Sequence, residues 1–286
     1  MHRDTKHINQ SGIGRSSEQL FANGTVHWEK SKEAVWDDMF ASKVEKNAKK
    51  SSLFSGIPLS IAASLILVMG ISVLFFYSKN IVCPAGEHMV VVLPDGSQVN
   101  LNASSHVTYK PFTYFLKREL HFEGEGFFEV EKGKPFVVKS DKAQTQVLGT
   151  SFNIFTRDGE YKITCLTGKV KISSSVNNSA ILNPKDYAEV TDNGLINIIN
   201  NYNTSREISW RKNEFFYTGE PLSKVIKEIE RQYGVSINMN PGLDYNVSIN
   251  FKTNPKIEEV LDYVCKPRLF TFEKDMDGEY TIVKNN

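Results

Sequence analysis

The sequence predicts a multidomain membrane protein. Its parts are a short helical cytoplasmic arm, one transmembrane helix, an all-β sandwich or jelly-roll-like external domain, and a small α+β C-terminal domain. Three observations predict this. No charged residue lies between Lys50 and Lys79. Beyond Lys79 the hydrophobic period becomes two, with Gly- and Asp-containing turns between short runs. Toward the C-terminus the pattern reads strand, helix, strand twice over.

The arm is placed at residues 1–52. Its first fourteen residues are polar and aperiodic, the composition of a disordered segment. A helical stripe follows in which Val35, Trp36, Met39, Phe40 and Val44 recur at three- and four-residue spacing, with Trp28 extending it. So short an arm buries little of its own surface, so its aromatics point to a protein partner, with Trp28, Trp36 and Phe40 as anchors. A juxtamembrane helix resting on lipid is the competing reading.

The transmembrane helix is placed at residues 53–78, around the run LFSGIPLSIAASLILVMGISVLFFY. That length suits roughly 30 Å of hydrocarbon. A buried core helix is rarely so uniformly apolar, and the run starts too deep in the chain for a signal peptide. Lys43, Lys46, Lys49 and Lys50 precede it and only Lys79 follows closely, which sets the N-terminus in the cytoplasm and the bulk of the chain outside.

The β domain is placed at residues 82–189. Its first hairpin turns at Asp95-Gly96, where Gly accepts positive φ and Asp can bond nearby backbone. Further strands are expected at 118–122, 126–130, 136–139, 145–148, 152–155, 161–166 and 169–172. An Asn-rich linker occupies 190–212. In the C-terminal domain, 213–286, Leu222, Val225, Ile226 and Ile229 form the inner stripe of a helix that Gly234 stops. Ile257, Leu261 and Val264 mark a second helix. Lys227 and Arg231 are read as exposed.

Bulk composition excludes more than it assigns. The 34 basic and 33 acidic residues leave a net charge of +1, so no nucleic-acid partner is expected. The three cysteines lack metal-ligand spacing and read as buried, inert thiols. No cofactor or metal site is expected. Glu123, Glu125 and Glu129 alternate along one strand as a row facing water or pairing with basic residues such as Arg118, rather than as catalytic carboxylates. The chain is therefore read as a non-enzyme.

Several blocks together carry a family resemblance. VVLPDGSQVNLNASSHVTY, RELHFEGEGFFEV, KPFVV and VLGTSFNIF resemble, in order and spacing, the periplasmic domain of FecR-like anti-sigma factors of the Bacteroidetes type. FFYTGEPLSKVIKEIERQYGVSI through FTFEK and YTIV resembles that family's C-terminal domain, which is similar to the short N-terminal domain of secretins and TonB-dependent transducers. Pro184-Lys185 stands where the family has Pro-Gly. The resemblance implies a single-pass inner-membrane regulator. Its arm would bind an extracytoplasmic-function sigma factor. Its periplasmic part would receive a signal from an outer-membrane TonB-dependent transducer, controlling nutrient uptake genes for siderophores or glycans. It also implies a candidate self-cleavage site at Gly149-Thr150, since some members break a matching bond. The alternative reading is a bitopic envelope adhesin or scaffold.

Overall fold

The computed structural model describes residues 30–44, 59–251, 255–266 and 270–284. The chain divides into two compact units, Met1–Ala63 and Ser64–Asn286. In the first, helix α1 (Lys32–Val44) starts behind Ser31, whose Oγ accepts the Ala34 amide at 3.3 Å. Lys30 pairs with Asp38 at 3.1 Å along its flank.

The apolar run forms helix α2 (Leu59–Phe76). Among the described residues it has 18 residues, about 27 Å at ~1.5 Å per residue. The expected span of residues 53–78 assumed that the helix continues as far as the apolar composition does. It instead ends at Phe76, because the chain enters a strand at Lys79. Among the described residues no helix is long and apolar enough to cross a membrane. This overturns the membrane-protein fold class, the bilayer contact through one helix, and the single-pass placement with N-terminus in the cytoplasm and C-terminus in the periplasm. Of the expected cytoplasmic arm, the described residues contain α1 alone; residues 1–29 and 45–58 lie outside them.

Thirteen strands build the β domain. They are β1 (Lys79–Cys83), β2 (Met89–Val92), β3 (Gln98–Leu101), β4 (Ser105–Tyr109), β5 (Arg118–Glu129), β6 (Phe136–Lys139), β7 (Ala143–Val147), β8 (Ser151–Thr156), β9 (Tyr161–Cys165), β10 (Val170–Ser174), β11 (Ser179–Leu182), β12 (Tyr187–Val190) and β13 (Ile196–Ile199). They form one near-barrel sheet folded about β5. The first half of β5 pairs with β4 and β6, and the second half with β3 and β8. One layer is therefore β11-β10-β7-β6-β5-β4-β1 and the other β2-β3-β5-β8-β9-β12-β13. All pairs in this domain are antiparallel except β5 with β6.

Gly124 makes the fold of β5 possible. Its φ is +112°, and a Cβ there would lie 2.3 Å from Ser105 Oγ. Ser105 Oγ accepts the Glu125 amide and donates to the Glu125 carbonyl, both at 3.0 Å, locking the bend. The core between the layers centres on Phe122, Phe128 and Phe152, with ring centroids 5.1 and 4.9 Å apart in sequence order. At the β2–β3 hairpin, Gly96 takes φ +86° and Asp95 Oδ1 accepts the Ser97 amide at 3.0 Å. Asp95 does more than shape this turn. Arg118 Nε donates to its Oδ2 at 2.6 Å, and the same guanidinium reaches the Lys134 and Glu131 carbonyls at 2.7 and 2.9 Å. Arg118 thus serves the hairpin rather than the glutamate row.

A 3-10 turn (Ser209–Lys212) leads into the C-terminal module: β14 (Phe215–Pro221), α3 (Leu222–Tyr233), β15 (Ile237–Met239), β16 (Asn246–Phe251), α4 (Ile257–Cys265), β17 (Phe270–Lys274) and β18 (Tyr280–Lys284). The strands make two small sheets. β14 pairs with β16, while β18 lies between β15, which runs parallel to it, and β17. Leu222, Val225, Ile226 and Ile229 of α3 pack with Val260, Leu261 and Val264 of α4 and with Tyr280 and Ile282. Gly234 ends α3 at φ +64°. Cys83, Cys165 and Cys265 are buried and unpaired.

Candidate functional site

The second half of β5 is buried on both faces, from Glu125 to Phe128, although alternation would leave one face wet. The reason is the C-terminal module, which docks on the outer face of this layer. Arg211 stacks on Phe127 with its guanidinium carbon 3.8 Å from the ring centroid. Trp210 Nε1 donates to Asn153 Oδ1 at 3.3 Å, and its ring meets His88 edge-on at 5.4 Å. The Gly86 amide donates to the Arg231 carbonyl at 2.8 Å, so the β1–β2 loop satisfies the last turn of α3.

A polar node sits in this seam. Arg157, just beyond β8, directs Nη1 to Glu228 of α3 at 2.9 Å to Oε1 and 2.6 Å to Oε2. Its Nη2 donates to the Ala103 carbonyl and, at 3.1 Å, to Ser105 Oγ. Glu228 also accepts from Arg231 Nε at 2.9 Å and Gln232 Nε2 at 2.8 Å. Gln232 Nε2 reaches Asn102 Oδ1 at 2.6 Å. Asn102 and Asn153 donate to the two oxygens of Glu125 at 2.8 and 3.1 Å. Around the node run outer ion pairs: Asp158 with Arg231 and Lys227 at 3.3 and 3.4 Å, and Glu160 with Lys162 at 2.6 Å and with Lys224.

Burial governs the electrostatics. It pushes the Glu125 carboxyl up to about 7; the charge of Glu228 acts in the same direction and Arg157 opposes it. Beside the node a cleft of about 560 Å³ opens between domain and module, lined by Tyr202, Glu207, Trp210, Tyr217, Glu220 and Lys224 among others. Burial also raises the Glu207 carboxyl, which accepts the Tyr202 hydroxyl at 2.8 Å. Among the described residues no group of His, Cys, Asp or Glu is placed to hold a metal ion.

The residues expected from sequence to act are not brought together here. Trp36, Val35 and Met39 are exposed on α1, Trp36 at 58%. Trp28 and the side chain of Phe40 lie outside the described residues. Gly149 has φ +148° and Thr150 is buried, its hydroxyl donating to the Lys169 carbonyl at 3.1 Å. Of the glutamate row, Glu123 and Glu129 are exposed, but Glu125 is buried. Arg231, read as exposed, is tied into the seam with its side chain 18% exposed. The seam residues Arg157, Glu228 and Gln232 escaped sequence reasoning. One signal was present: Glu228, Arg231 and Gln232 fall at i, i+3 and i+4, a polar stripe beside the apolar one on α3.

Comparison with known proteins agrees with this two-part arrangement. The family model described as FecR protein matches residues 79–171, and that described as FecR, C-terminal matches residues 214–283. Two crystal structures of a candidate anti-sigma factor from Parabacteroides distasonis are similar, with TM-scores of 0.66 and 0.65. Each is 27% identical in sequence, and each match covers 73% of this chain and 100% of the other. No curated protein matches the chain.

Proposed function

Because the chain carries the FecR domain and the FecR C-terminal domain in series, we propose that it is an anti-sigma regulator controlling an extracytoplasmic-function sigma factor in response to a TonB-dependent transducer. The observation that carries this reading is the tandem itself: both matched regions fold and dock through the Arg157–Glu228 seam. In this reading α1 presents Trp36, with Trp28 and Phe40, to the sigma factor. The signalling domain of the transducer addresses the β domain and C-terminal module, and the regulated genes serve uptake of a siderophore or glycan.

The test is co-purification of the full chain with the sigma factor encoded beside it, for wild type and for the Trp36→Ala, Phe40→Ala double variant. Wild type should retain the sigma factor. Loss of two aromatic anchors at roughly 2 kcal/mol each should weaken binding by more than a hundredfold. If wild type fails to bind, the proposed function is wrong; equal binding by both proteins refutes the choice of anchors.

A further inference from the structure

We propose that the seam between the β domain and α3 is a proton-linked latch, held closed when Glu125 is protonated and loosened when it ionises. The inference is independent of what the chain regulates.

Gly124 and Ser105 fix the Glu125 backbone at a strand bend, and the Asn102 and Asn153 amides hold its carboxyl. Glu125 is 8% exposed, and its partner Asn102 accepts in turn from Gln232 of α3, so Glu125 and Glu228 lie at the same cleft. The module therefore docks by burying one carboxyl from the β domain beside another, Glu228, from α3. Separating the two surfaces returns both to solvent. A carboxylate costs more to bury than a carboxylic acid, so closure and proton uptake are coupled.

The other charges around Glu125 decide whether that coupling survives. Arg157 faces it from the end of β8 and favours the ionised form, but both oxygens of Glu228 already accept from its Nη1. Arg231 on α3 is shared between Glu228 and Asp158. From β14, the half-buried Tyr217 lies near Glu125 and Glu228, whose charges add to desolvation in holding its hydroxyl protonated. His88 contacts the seam through Gln232 Oε1 at 3.0 Å and the Trp210 ring. The amides of Asn102 and Asn153 favour the carboxylate. Desolvation outweighs these opposing contributions and leaves Glu125 near 7 against an ordinary value of 4.5.

The sign follows. With the closed-state value raised, opening releases a proton between about 4.5 and 7. The closed form gains most below the lower value, and that gain is lost as pH rises through the upper one. The opening constant should rise on the order of tenfold between pH 5.5 and 7.5.

The Gly86 amide reports directly on the latch, because its acceptor is the Arg231 carbonyl across the seam. Hydrogen exchange at Gly86 in the full-length chain, corrected for the intrinsic pH dependence of exchange, should show that rise. Exchange at Phe152, inside the β-domain core, should not. In Glu125→Gln the pH dependence should flatten. A flat wild-type profile, or the same slope in Glu125→Gln, overturns the proposal. A second measurement stands without any variant: the side-chain carboxyl of Glu125, followed by carbon NMR in wild type, should titrate near 7. A midpoint at or below 5 also overturns the proposal.

Discussion

Replacing Arg157 with alanine should open the seam while leaving the β domain folded. The guanidinium makes two contacts to Glu228, at 2.9 and 2.6 Å, and anchors them to the Ala103 carbonyl and Ser105 Oγ. Both side chains are buried, with 4% and 11% exposure. Removing one partner of such a pair costs about 3–5 kcal/mol, because the other stays buried and undercompensated. Glu228 keeps Arg231 Nε at 2.9 Å and Gln232 Nε2 at 2.8 Å, so the lower end applies, about 3 kcal/mol. That corresponds to roughly a hundredfold rise in the open population. The Gly86 amide donates to the Arg231 carbonyl across the seam, so its hydrogen exchange reports opening. When reclosing outpaces exchange, the exchange rate tracks the open population. Exchange at Gly86 should therefore accelerate about a hundredfold in Arg157→Ala. The double variant Arg157→Met, Glu228→Leu should recover most of the protection, since an apolar pair replaces a buried ionic one at little cost. Less than threefold acceleration in the single variant would refute the view that this pair holds the seam.

Two further outcomes concern backbone geometry. Gly124→Ala forces a Cβ to within 2.6 Å of Ser105 Cα at a φ of +112°, so it should destabilise the β domain by about 3 kcal/mol in urea unfolding; a loss below about 1 kcal/mol would show that β5 does not depend on this bend. Lys185 occupies φ +72° where the resembling family has glycine, so Lys185→Gly should raise stability by about 0.5–1 kcal/mol, and a lower melting temperature would contradict strain at that turn.

What was legible in the sequence was local. The stripe Leu222, Val225, Ile226 and Ile229 packs inward on α3, and Gly234 ends that helix, because period and cap need no distant partner. The alternating runs of the β domain mark strands for the same reason. The family blocks in the sequence fall within the matched regions 79–171 and 214–283. The apolar run misled because composition sets where a helix is tolerated, not where it stops; β1 begins at Lys79 and limits α2 to Phe76. Glu125 was placed toward water because strand alternation knows nothing of a second domain. Arg157 and Glu228 are 71 positions apart, and no local pattern pairs them.

The bend in β5 and the titration of Glu125 are two consequences of one residue. Without positive φ at Gly124, β5 would continue in the first layer and could not pair with β3 and β8. Once it bends, the Glu125 backbone is clamped by Ser105 and its side chain meets Asn102 and Asn153 from the strands and loops on either side. A glutamine there would offer a single acceptor oxygen, so one of the two asparagine amides would lose its partner. The carboxyl thus satisfies both amides, and its burial also makes docking of α3 sensitive to protons. Arg157 keeps that sensitivity in range: its charge lowers Glu125 from a still higher value and simultaneously holds Glu228. Loss of Arg157 should then raise the Glu125 midpoint of the closed form as well as open the seam, linking the two effects through one guanidinium.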